Sequence, residues 1–197
     1  MSSISGRSLS SSGLHRAYEQ RFVAHCSDIF RVVALLLVIV AWFVSGVASA
    51  AAMALVAGGT WMLRYYASTR LLDVLGQLVF LVAGACSVFG FYKHLWWLDL
   101  VVHFTVMVVV TMVIHEAMAH RSMVRKKNGA ERKRPHRASV VIYGVLAMIL
   151  WEAGEWIGYH CISQEIGVGI MDTATDVLMG ALGVGLAHWN LSRRKIL

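Results

Sequence analysis

Charge and proline are scarce in this chain of 197 residues. Only 15% of residues are charged, and there is a single proline. Soluble domains carry nearer 25% charged residues, so a water-soluble globular domain is a poor fit. Three cysteines, Cys26, Cys86 and Cys161, lie far apart, are odd in number and lack metal-ligand spacing, so neither a disulfide framework nor a cysteine metal site is expected. Acids are few, eleven Asp and Glu against 18 Lys and Arg, which leaves a net charge of +7. Residues 1–20 are Ser-rich and have no apolar core, so no cleavable signal peptide is expected.

Apolar residues make up 58% of the chain, in long runs. Residues 32–63 and 104–114 contain no charge at all. Such continuous runs exclude the alternating pattern of a membrane β-barrel. In hydrocarbon, a helix satisfies its own backbone hydrogen bonds. The reading is therefore all-α: a polytopic transmembrane helical bundle of about six spans. A span needs about 20 apolar residues. Residues 31–64 exceed that length, and Ser45-Gly46 offers a break between helices at about 29–45 and 48–65. Further spans fall at about 71–92, 97–119, 138–160 and 171–191.

Basic residues test this layout. They concentrate in a flexible N-terminal segment (1–28), at Arg64 and Arg70, in a basic loop over 121–137, and in the tail 193–197. Six spans across a membrane domain of 29–192 put all four groups on one side, whereas five spans mix them. The positive-inside rule makes that side the cytoplasm, with both termini cytoplasmic in a cell (inner) membrane. The basic excess is thus an orientation signal beside anionic lipid, and no nucleic-acid partner is expected.

Against this apolar background, five of the eleven acids fall in three spaced pairs with one histidine: Asp99 and His103, Glu152 and Glu155, Asp172 and Asp176. Spacings of three and four put both members of a pair on one helical face. The layout places all three pairs toward the extracytoplasmic side, where three helices can enclose one pocket. Five carboxylates in hydrocarbon call for protons, hydrogen bonds or cations. Oxygen ligands with one imidazole suit Mn, Mg, Zn or Fe. Six ligands suffice for two ions about 3.5–4 Å apart, the arrangement used in phosphoryl chemistry. The leading expectation is a divalent-metal site serving a hydrolase or transferase on a lipid or lipid-linked phosphate. His103 then acts as ligand or as general base. The cluster lacks a cationic phosphate clamp; Lys93 is the nearest candidate. The alternatives are a cation or proton transporter and an accessory membrane subunit with a bonded acid network.

His115, Glu116 and His120 have two histidines five apart, off the shared face that a zinc-protease pair needs; an interfacial cap is expected. His160 reads as a rim residue. Trp151 and Trp156 read as packing, and His94, Trp96 and Trp97 as an interfacial aromatic belt. Gly180, Gly183 and Gly185 read as small residues permitting close helix approach.

The motifs Leu98-Asp99-Leu-Val-Val-His103, Glu152-Ala-Gly-Glu155-Trp156 and Asp172-Thr173-Ala-Thr-Asp176, with Gly180 and Gly183 following, resemble the YjdF-like family of bacterial inner-membrane proteins, a domain of unknown function. The resemblance covers about 95–190. It implies a multi-span bundle with an acidic cluster and brings no activity. The chain departs from the family pattern in its loop before the last span, which is short and carries only Glu165.

Overall fold

The computed structural model describes residues 11–127, 136–164 and 166–193. Glu165 and the basic residues Arg7, Arg132, Lys133, Arg134, Arg194 and Lys195 lie outside the described residues. The chain forms α1 (Ser11–Tyr66), α2 (Arg70–Val88), a short 3-10 turn (Phe91–Lys93), α3 (Trp96–Lys127), α4 (Arg137–Cys161) and α5 (Ile170–Arg193). No strand occurs among the described residues. Five of these helices are long and apolar enough to cross a membrane, the first through the 40 residues Ser27–Tyr66. The six apolar segments of the sequence thus appear as five helices, because α1 joins the first two.

That joint is not straight. Gly46 sits at φ 81° and ψ −171°, outside helical geometry and in a region open to a residue without a Cβ. Arg31 Nε donates to the Thr60 carbonyl at 3.2 Å, across 29 residues. In a straight helix those residues would stand about 43 Å apart. Arg64 also pairs with Asp28 at 3.2 Å. The arms 11–45 and 47–66 therefore run antiparallel, as a hairpin folded at Gly46. Ser45 Oγ fastens the fold by donating to the Val88 carbonyl at the end of α2 (2.6 Å).

Several expected boundaries move. Helix begins at Ser11, inside the segment expected to be flexible. The third apolar segment ends at Val88, four residues before Tyr92, where a left-handed Gly90 starts the 3-10 turn. Helix α3 continues to Lys127, into the basic loop, because Arg and Lys are good helix formers in water.

Packing divides the bundle into two parts. The α1 hairpin lies on α2, and α3 pairs most extensively with α5, with α4 against both. Met53, Leu63, Phe80 and Val109 anchor one core; Met107, Met148 and Val184 anchor the other. The outward faces are apolar, with Leu36, Phe43, Leu150 and Leu178 all exposed. Unlike the largest apolar patch of a soluble monomer, this surface covers every helix, which marks it as lipid-facing.

Gly183 sets the approach of α5 to α3, and Gly180 its approach to α4. A Cβ on Gly183 would strike the Phe104 carbonyl oxygen, and one on Gly180 would strike the Met148 sulfur. A Cβ on Gly185 would meet nothing, so close approach needs two of the three glycines. Gly183→Ala is expected to cost about 1–3 kcal/mol, since backbone cannot yield as a side chain can. Gly185→Ala should stay within about 0.5 kcal/mol of wild type. Thermal melts of the purified variants compare the two directly; equal losses would put the close contact elsewhere.

Candidate metal centre

The close packing of α3, α4 and α5 brings the spaced pairs together at one end of the bundle. Asp99 lies in the first turn of α3, and His103 follows one turn later. Asp172 lies in the first turn of α5, with Asp176 one turn on. Glu152 and Glu155 occupy the C-terminal half of α4. Because α4 runs opposite to the other two, its end meets their beginnings.

His103 is the centre of the group. Its Nε2 lies 3.5 Å from Asp99 Oδ1. Its Nδ1 lies 3.5 Å from Glu152 Oε1 and 3.8 Å from Asp176 Oδ1. Two sets of three ligand atoms, each within 4.8 Å of one another, share this ring: Asp99, His103 and Asp176, and His103, Glu152 and Glu155. His103, Glu152 and Asp176 are buried, Asp176 to 2% exposure. Asp99 and Glu155 are half-buried. Five of the six expected residues thus converge. Asp172 does not join either set and is exposed at the start of α5.

Glu152 Oε1 and Asp176 Oδ1 are sealed from solvent and have no hydrogen-bond partner. A buried acceptor without a donor costs about 1–3 kcal/mol, more when charged. A proton on a carboxyl or on the facing His103 Nδ1, or a cation, would answer these oxygens. A packed apolar wall alone leaves that cost in place.

The surrounding aromatics support the acids. Trp151 Nε1 donates to Glu155 Oε1 at 3.0 Å, and Trp156 Nε1 donates to Thr173 Oγ1 at 3.0 Å, tying α4 to the start of α5. Trp156 also stacks on His160, whose exposed ring bonds the Trp156 carbonyl through Nδ1 (2.9 Å). Both tryptophans thus donate, and Trp156 also stacks, which a packing role alone does not describe. Tyr92 Oη donates to the Ala83 carbonyl (3.0 Å). Burial holds its hydroxyl far above the usual phenol range; Cys86, Asp99 and Glu155 reinforce this, so Tyr92 is a fixed donor beside the cluster.

His115, Glu116 and His120 lie elsewhere. Twelve residues along α3 separate His115 from His103, about 18 Å. Ser68 Oγ donates to Glu116 Oε1 (2.7 Å), and Tyr66 meets His120 edge to face. Glu116 and His120 thus tie the C-terminal part of α3 to the α1–α2 turn.

One buried polar group was not legible as such. Arg31, only 2% exposed, donates to Asp73 and to Asp28 (2.8 Å). Gln77 Nε2 also donates to Asp73 (3.1 Å). Asp28 with Arg31 and Asp73 with Gln77 repeat the three- and four-residue spacing of the acidic pairs. Their nearness to helix ends disguised them as interfacial charges.

Comparison with protein-family models, curated proteins and solved structures finds no significant similarity to any of them.

Proposed function

We propose that this is a six-span membrane protein whose α3–α5 half holds a divalent metal ion beside His103, the ring shared by the two ligand sets Asp99, His103 and Asp176 and His103, Glu152 and Glu155. The observation that carries this reading is the pair of sealed, partnerless carboxylate oxygens facing one imidazole nitrogen at 3.5 and 3.8 Å. A cation beside the ring answers a sealed oxygen and the ring lone pair together; a proton answers the oxygen alone. A mixed nitrogen and oxygen donor set suits Zn, Mn or Fe better than Mg.

Counting the α1 hairpin as two spans returns every basic segment to one side, the cytoplasm of a cell membrane. The metal then lies toward the opposite face, within reach of lipid headgroups. A metal-dependent hydrolase or transferase on a lipid-linked substrate fits that position, with the ion polarising a phosphoryl oxygen or activating water. The likeness to the YjdF-like family belongs to this proposal and fits a bundle built around these motifs.

Elemental analysis of detergent-purified protein tests the reading. A stoichiometric transition metal is expected, together with a rise in melting temperature on adding Zn²⁺ or Mn²⁺ to chelated protein. Protein that holds no divalent ion and gains no stability from Mn²⁺, Mg²⁺ or Zn²⁺ would overturn it.

A further inference from the structure

The two nitrogens of His103 face different surroundings. On the Nδ1 side, Glu152 Oε1 and Asp176 Oδ1 are sealed and lack donors, and both residues are more than nine-tenths buried. On the Nε2 side stands a single carboxylate, Asp99, one turn earlier on the same helix and with 28% of its side chain exposed. No Asp99 oxygen is among the sealed acceptors without a partner. The unanswered oxygens lie on the Nδ1 side, and that is where an ion has most to offset.

A neutral imidazole carries one N–H and one lone pair. An ion on the Nδ1 side takes the lone pair there and leaves the proton on Nε2, facing Asp99. The separations agree. Gaps of 3.5 and 3.8 Å exceed a normal N–H···O bond of about 2.7–3.2 Å. They lie near the roughly 3.4 Å between two ligands of a tetrahedral ion with bonds of about 2.1 Å. Asp99 stands at the same 3.5 Å from Nε2, so the sealed oxygens, and not the separations, choose the side. Such carboxylate–histidine–metal arrangements fix the tautomer and orientation of a ligating ring.

We propose that Asp99 is a positioning residue and not a ligand: it holds Nε2–H of His103 so that Nδ1 faces the ion. This rests on the metal reading above and divides the roles within it.

Zinc affinity, measured by chelator competition on the full chain in detergent, tests the division. Asp99→Asn is expected to keep the wild-type metal stoichiometry and to lower affinity about 10–100-fold, with the melting temperature of the metal-free protein unchanged. Glu152→Gln is expected to lose the ion. A second measurement needs no variant at Asp99. In ¹⁵N-histidine NMR of zinc-loaded wild type, the signal missing from His103→Ala should show a protonated Nε2 and a metal-shifted Nδ1. A metal-shifted Nε2 overturns the proposal. So does loss of the ion in Asp99→Asn, which makes Asp99 a ligand, or unchanged affinity, which gives it no role. Those outcomes leave the metal site standing. Wild type that binds no ion removes the metal reading itself, and the role of Asp99 with it.

Discussion

In Glu152→Gln/Asp176→Asn, the thermal stabilisation that Zn²⁺ or Mn²⁺ gives the wild type is expected to vanish, while the metal-free protein becomes more stable. Both effects come from the same two oxygens. With an ion present, they supply its negative ligands. At a hundredfold excess over Kd, a ligand that binds only the folded state contributes about 2.7 kcal/mol, which the variant forfeits. Without an ion, each is a sealed carboxylate oxygen with no hydrogen-bond partner. Neutral amides of the same shape relieve part of that desolvation, by about 1–3 kcal/mol. Melting curves with and without added metal read both terms. A bonded acid network without an ion makes the opposite forecast: the variant loses stability, and added metal changes nothing in either protein. That result would favour the accessory-subunit alternative.

Asp73→Ala is expected to destabilise the bundle by about 3–5 kcal/mol. Arg31 is fully enclosed between the two arms of α1 and the start of α2. Its guanidinium cannot lose its charge, and in apolar surroundings an unpaired charge costs that much. Asp28 remains as a partner but is half-exposed at 50%, so it answers the charge only in part. Gln77 loses its acceptor in the same step. Joint replacement by Arg31→Met and Asp73→Leu should recover most of the loss, since a well-packed apolar pair avoids desolvation altogether. Denaturant unfolding of the single and double variants gives the comparison. A single variant within about 0.5 kcal/mol of wild type would mean that water solvates Arg31.

The fold was legible where a single local rule governs. Apolar runs fixed the helices, because backbone in hydrocarbon has no other way to bond. The break at Ser45-Gly46 was legible from length and composition. That Gly46 reverses the chain, and does not merely interrupt it, emerges only from Arg31 reaching Thr60. Helix ends were less legible. Near the membrane edge water and lipid both tolerate continued helix, and α3 runs on through Arg and Lys. The site was legible as three helical faces, since spacing fixes direction around an axis. Asp172 shows the limit of that rule. It shares a face with Asp176, yet it stays exposed in the first turn of α5 and joins neither ligand set.

The sequence by itself determined that this chain forms helices long and apolar enough to cross a membrane, with acids on shared helix faces, because hydropathy and helical period are properties of each segment alone. Only the tertiary structure decided which of those acids are sealed, that one imidazole stands among them, and which nitrogen faces the oxygens that lack donors. Those facts depend on how closely α5 settles onto α3 at Gly183 and onto α4 at Gly180. They also depend on α4 running opposite to both, and no segment specifies that kind of packing on its own.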